Sequence, residues 1–316
     1  MLDICILGTG GGMPMPNRYL ASALIRYQGR KILIDCGEGT QVSMKMLGWG
    51  LKTVDTICIT HEHGDHTVGL PGLLATIGNS GRTDPITIIG PEGITEIVNG
   101  LRVVAPNLPY EINIIESPQE PIKLLDSKGT IEVSTLELDH STPCIGYNFY
   151  IKRSPKFQKE KAFENDVPKI LWNKLQDGNE VEYEGKIYTP DMVLGEEREG
   201  IKISYITDTR PIENIVDFIK DSDLFICEGN YGDDADIEKA IKNKHMTFSE
   251  SAKLAKSANV KELVLTHFSP AMGCPEEYID NAIKIFKNSK VSYDRDIYNV
   301  NFKDRKVTLI SDQLGI

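Results

Sequence analysis

Apolar residues along this chain fall in short runs rich in isoleucine, valine and leucine, alternating with glycine turns or with stretches of helical periodicity. In the first sixty residues the runs at 4–7, 21–27, 31–34 and 56–59, punctuated by Gly29 and the glycines of 8–12, predict hairpin strands. Residues 38–47 and 70–77 have helical spacing, and Pro71 falls in the first turn of the second, where no intrahelical donor is lost. Strands follow at 86–89, 112–115, 131–138 and 147–151, with a helix at 93–103. The pattern then breaks into a polar, lysine-rich stretch to about residue 200, where Trp172, Leu175, Tyr183 and Tyr188 supply a thin apolar content. Alternation resumes with strands at 203–207, 224–227 and 262–266 and helices at 212–219, 249–257 and 276–286. Two such halves predict an α/β (α+β) fold in which two sheets pack face to face with helices outside, a four-layer αββα sandwich. The expected organisation is one domain, 1–316, carrying an inserted arm at approximately 152–200. Patterning alone leaves an open α/β sheet as the alternative.

Composition narrows the setting. No apolar stretch approaches the roughly 20 residues of a membrane helix, so a soluble protein is expected. The amino terminus carries Asp3 instead of a basic leader and runs into a glycine loop, which reads as a first strand rather than a signal peptide. Six cysteines without a C-x-x-C pair, mostly inside apolar runs, suit reduced thiols and a cytoplasmic location. A net charge of −11 argues against a uniformly basic nucleic-acid binder. One basic segment stands apart: residues 152–174 hold seven Lys and Arg against Glu160, Glu164 and Asp166.

Histidine placement adds chemistry. The chain has six, and three of them sit in Thr60-His61-Glu62-His63-Gly64-Asp65-His66, directly after an apolar run. Residues two apart leave a strand on one side, so His61 and His63 can reach one ion while the turn at Gly64 swings Asp65 and His66 toward a second. Imidazoles and carboxylates without thiolates favour zinc or a similar divalent metal, with room left for water. His140 and His267 each follow a β-type run, as does Asp208, which suits either a helix N-cap or a carboxylate between two cations. Other motifs fail: Met13 stands where the third glycine of a dinucleotide fingerprint belongs, and neither a phosphate loop nor a G-x-S-x-G elbow is present. The glycines at 8–12 therefore read as a tight turn beside the metals.

The order H-x-H-x-D-H, His, Asp, His resembles the metallo-β-lactamase superfamily, and Leu7-Gly8-Thr9-Gly10, Asp35-Cys36-Gly37-Glu38, residues 60–74 and Asp208-Thr209-Arg210 resemble its ribonuclease Z branch over nearly the whole chain. That resemblance implies two divalent metal ions, zinc or else manganese or iron. One would be held by His61, His63 and His140, the other by Asp65, His66 and His267, with Asp208 between them. It implies that Asp65 also accepts the proton of the attacking water, and that His245 and Glu228 orient and protonate the leaving ribose oxygen. The expected activity is a dinuclear-metal phosphodiester hydrolase, an endoribonuclease removing 3′ trailers from precursor tRNA, working as a homodimer. Arg18 and the arm lysines Lys156, Lys159 and Lys161 are the candidate substrate contacts.

Departures from the branch keep other readings open. The chain has Cys227-Glu228-Gly229-Asn230 where an H-E-A-T-like motif is usual, Ala271-Met272 where an arginine and tyrosine often stand, and an arm without the usual Gly-Pro element. The same centre could serve small or cyclic nucleotide diesters. A non-catalytic member binding RNA or protein is the third reading.

Overall fold

The computed structural model describes residues 2–126 and 129–310. The first sheet begins with β1 (Leu2–Gly8), β2 (Ser22–Tyr27) and β3 (Arg30–Ile34), an antiparallel meander. Helix α1 (Thr40–Leu47) then crosses over, so that β4 (Val54–Cys58) lies parallel to β3. The hairpin expectation therefore holds for the first three strands and fails for the fourth, because the intervening helix reverses the chain. After α2 (Gly64–Thr67) and α3 (Leu70–Asn79) come β5 (Ile86–Gly90), α4 (Ile94–Leu101) and β6 (Ile112–Glu116), again parallel.

The second sheet opens with β7 (Ile122–Asp126), β8 (Gly129–Glu137) and β9 (Ile145–Arg153). An insert follows, containing α5 (Lys159–Glu164), α6 (Trp172–Gln176) and a small hairpin of β10 (Val181–Tyr183) and β11 (Lys186–Tyr188). Strand β12 (Arg198–Ile206) returns antiparallel to β9, and α7 (Asn214–Ile219), β13 (Leu224–Glu228), α8 (Ile237–Asn243), α9 (Phe248–Ser257), β14 (Leu263–Thr266), α10 (Ile279–Ile283) and β15 (Ser289–Val291) complete a parallel half. The chain then crosses back: β16 (Asp296–Val300) pairs with β1, and β17 (Val307–Ile310) pairs with β16 at the sheet edge.

Strict alternation along the strands explains the layering. Ile4, Ile6, Ile25, Ile32 and Ile34 of one sheet meet Tyr147, Phe149, Ile203, Tyr205 and Ile226 of the other in a single buried core. The residues between them, Cys5, Leu7, Leu24 and Leu33, face α1, α3 and α4, while Phe225, Cys227, Leu263 and Leu265 face α7 and α9. This is the expected αββα sandwich, and the open-sheet alternative is excluded by the shared core. Tyr147 ties the sheets at the functional end by donating from its hydroxyl to the carbonyls of Ile59 at 2.6 Å and Ile89 at 3.1 Å. The insert is better packed than its composition suggests. Ala162, Val167, Leu171, Leu175, Tyr188, Val193 and Leu194 form a small core of their own, with Phe157 and Trp172 against it. All six cysteines are free, five of them buried. No helix of the described residues is long and apolar enough to cross a membrane.

Candidate metal centre

Every cluster residue lies where a strand ends. The loop leaving β4 carries His61, His63, Asp65 and His66, with Gly64 starting the short helix α2 that turns the last two away from the first two. His140 sits in the connection from β8 to β9, Asp208 just beyond β12 and His267 just beyond β14. Asp208 and His267 have φ of 52° and 58°, so each strand breaks sharply at the functional residue. Asp208 is not a helix cap, since the next helix starts at Asn214 after Glu213.

The side chains gather into two neighbouring groups, His61, His63, His140 and Asp208 in one, and Asp65, His66 and His267 in the other. In the first, His61 Nε2 lies 2.9 Å and His140 Nε2 3.3 Å from His63 Nδ1. In the second, His66 Nε2 and His267 Nε2 are 3.2 Å apart, and Asp65 Oδ2 is 3.4 Å from the former. Asp208 addresses both: its Oδ2 lies 3.6 Å from His61 and 3.9 Å from His140, its Oδ1 3.6 Å from His66 and 3.1 Å from His267. Nitrogen lone pairs turned on one another at these distances repel unless a cation or proton lies between them, which is the donor chemistry of a divalent metal site.

Surrounding groups hold these orientations. Buried Asp35, itself at φ 57°, accepts from His66 Nδ1 at 2.9 Å and from the Thr60 amide at 2.8 Å. His140 Nδ1 donates to the Lys244 carbonyl at 3.3 Å, and Asn230 Nδ2 lies 3.2 Å from His267 Nδ1. Burial, then neighbouring imidazoles, pull His61 well below the usual histidine range, leaving its ring neutral. Burial alone would raise Asp65 and Asp208, but the imidazoles beside them, His267 and His66, outweigh it and hold both as carboxylates. The glycine turn is part of the same structure: the Gly12 amide donates to Asp65 Oδ2 at 2.7 Å, and a Cβ at Gly11 would lie 2.5 Å from His267 Cε1. Gly11→Ala is therefore expected to displace the His267 ring and lower metal affinity by roughly tenfold or more. Metal titration of the apo protein checks this, and unchanged affinity would show that the loop yields instead.

A second constellation adjoins the first. Glu228, buried at the end of β13, lies 3.2 Å from His245 Nδ1 and accepts from the amides of Thr209 at 2.7 Å and Met246 at 3.0 Å. Burial pulls the His245 imidazolium down, but Glu228 and then Asp208 outweigh that and push it up to about 9. Arg210 pins the loop that carries it, forking onto Glu250 and donating to the His245 carbonyl. Both groups open into one cleft of about 530 Å³, also lined by Ser141, Tyr231, Lys242 and Lys244. The sequence reading placed Asp35 and Arg210 only within motifs and Asn230 only in a departure from one, and gave neither these three nor Lys244 a role at the site. Asp35 carries the signal Asp208 carries, an acid directly after an apolar strand, whereas Asn230 shows in the sequence only as a departure from the motif around Glu228.

A ribonuclease Z of Clostridium beijerinckii is 64% identical over 307 residues, covering 96% of this chain and all of that one. The chain belongs to the ribonuclease Z family. Among solved structures, human tRNase Z, short form, superposes with a TM-score of 0.65 at 24% identity, covering 95% of this chain and 100% of that chain. The metallo-β-lactamase fold protein YhfI of Bacillus subtilis gives 0.67 at 19% identity, covering 94% and 98%. The fold is thus that of the metallo-β-lactamases. A family profile described as anti-Pycsar protein Apyc1 matches residues 2–139. Like other ribonucleases Z, the protein is a hydrolytic enzyme, and its His/Asp cluster is one that divalent metal can occupy.

In this ribonuclease Z the candidate substrate contacts lie apart from the cluster and differ among themselves. Arg18 donates to the carbonyls of Met272 at 3.1 Å and Gly273 at 3.3 Å and covers the Phe268 ring, so it braces the loop after His267. Lys161 is tied down within the arm by the Leu194 carbonyl at 2.8 Å. Lys156 and Lys159 are exposed. Counted over 152–200, nine Lys and Arg face eleven Asp and Glu. The basic character belongs to the helical half of the arm, and the β10–β11 half is acidic.

Proposed function

We propose that this ribonuclease Z is a dinuclear, zinc-dependent endoribonuclease that removes 3′ trailers from precursor tRNA in the cytoplasm and works as a homodimer. The observation that carries the reading is the Asp208 carboxylate, with one oxygen toward each imidazole group, next to a buried Glu228–His245 pair. His61, His63 and His140 would hold one ion, Asp65, His66 and His267 the other, and Asp208 would be shared. When bound, such ions supply Lewis acidity at the phosphoryl oxygens and make water acidic enough to act at neutral pH.

The chain's own groups do the rest. Asp65, held ionised and fixed by the Gly12 amide, accepts the proton of the attacking water at a carboxylate oxygen. Glu228 takes up Nδ1 of His245 and keeps the ring protonated, which leaves Nε2–H to donate to the departing ribose oxygen as its bond to phosphorus breaks. Lys242 places positive charge at the cleft wall, where a diester backbone enters, while Lys244 is paired with Asp139 at 2.7 Å and braces the His140 loop.

Incubating metal-loaded protein with trailer-bearing precursor tRNA and, separately, with small diesters tests the assignment. Cleavage of the precursor at the trailer junction is expected; turnover of small diesters alone would overturn it. The arm is proposed to bind tRNA through its helical half. Replacing residues 157–195 by a short Gly-Ser linker should raise KM for precursor tRNA at least tenfold and flatten its salt dependence. An unchanged salt slope would reduce those lysines to ordinary surface charge.

A further inference from the structure

A second cleft, of about 500 Å³, lies at the opposite end of the sandwich from the histidines, between the foot of the arm and the ends of β2, β9 and β12. Strand β9 runs from Ile145, next to the His61–Cys144 bridge, to Arg153, and β12 runs back from Arg198 toward Asp208. At about 3.3 Å per residue, the two arginines stand roughly 25–30 Å from the metal ligands. Lys152, Arg153, Lys156 and Arg198 line this cleft, with Phe157 and Phe302 as apolar walls, and no carboxylate is among the lining residues. In a chain of net charge −11, four cations around one acid-free cleft are a local inversion.

The acids nearby are already engaged. Glu199 pairs with Arg305 at 2.6 Å, and Asp223 with Lys261 at 2.6 Å. Lys152 pairs, among the described residues, with Glu132 at 3.7 Å. Arg153 and Arg198 form no ion pair with a carboxylate among the described residues. Both guanidiniums converge instead on the carbonyl of Phe302, Arg198 from 3.2 Å, while Arg153 also donates to the Glu199 carbonyl at 3.0 Å. The Arg153 Nε is buried without a hydrogen-bond partner. Burial and then the charges of Arg198 and Arg305 press the Arg153 guanidinium down from its ordinary range, outweighing the more weakly felt Asp223 and Glu199.

We propose that this cleft is an anion site for a phosphate-bearing ligand, held by Arg153 and Arg198 with Lys152 and Lys156, and closed on one side by the arm. Two guanidiniums fixed from behind by one carbonyl present their remaining N–H groups as a preorganised fork, which matches the tetrahedral oxygens of phosphate. At this distance from the metals the occupant is not the scissile phosphate. It is either a remote phosphate of the bound RNA or a free polyphosphate, and in both cases it couples the arm's foot to the sheets.

Calorimetric titration with inorganic tripolyphosphate tests the site on the full chain. Because polyphosphate also seeks metal, the titration is repeated on Asp208→Ala, in which binding at the distal cleft should persist. Arg198→Gln and Lys152→Gln are the informative variants, since neither residue is buried, and their melting temperatures report on folding. A loss of tripolyphosphate affinity of at least tenfold, with KM for precursor tRNA within twofold of the parent chain, supports the site with a free anion as occupant. A rise in that KM of at least threefold, with a salt slope shallower by about one per cation removed, supports it with RNA as occupant. Folded variants that change neither measurement overturn the proposal.

Discussion

Asp208→Ala is expected to lose metal and activity together. One carboxylate oxygen points to each imidazole group, so its removal strips a ligand from both and leaves two cations with less negative charge between them. Metal affinity should fall by more than about 100-fold and cleavage of precursor tRNA by at least about 10³-fold. Elemental analysis after gel filtration, paired with single-turnover cleavage, gives both numbers. Because Asp208 has φ 52°, alanine also adds backbone strain of roughly 1–2 kcal/mol. Asp208→Asn separates the two effects: asparagine tolerates that conformation, so a stable but metal-poor Asn variant isolates the charge. An alanine variant that kept full metal and lost only rate would contradict the bridging role.

His245→Ala should behave in the opposite way, keeping its metal and losing about 10²- to 10⁴-fold in kcat. The sign of its pH dependence follows from the Glu228 pair. The imidazolium is the acid, and Glu228 raises its pKa toward about 9, so the protonated form dominates at neutral pH and is lost as pH rises through that value. Bound cations next door move the titration down, which places the alkaline limb of kcat at or below about 9. Glu228→Gln removes the supporting charge and should shift the limb to lower pH. A limb that survives in His245→Ala belongs to another group, and a metal-free His245→Ala protein would merge two roles kept apart here.

How much of this was legible without coordinates depends on which physical signal each residue leaves in the chain. The seven cluster residues were readable because three imidazoles and a carboxylate crowd into His61–His66, and because the order of the rest resembles the ribonuclease Z branch. The αββα layering was readable because alternation along β1, β12 and β13 is strict. What escaped was long-range. Asn230 looks like a departure from a motif until the fold sets it beside His267, thirty-seven positions later. Strands β15 to β17 were missed because Ser289–Val291 is short and the pairing of Asp296–Val300 with Leu2–Gly8 is invisible to any local window. The arm was misjudged in one respect: its apolar residues are few but converge into a core of their own.

That last pairing bears on when the enzyme comes into being. Strand β1 leads into the glycine turn over Asp65, yet its outer neighbour, β16, is made some 290 residues later. During synthesis the loop carrying His61 to His66 emerges roughly two hundred residues before His267, and β16 follows later still. A nascent chain therefore holds most of its ligands with no closed sandwich to aim them. Such an order assembles the two histidine groups only once β14 has joined the second sheet.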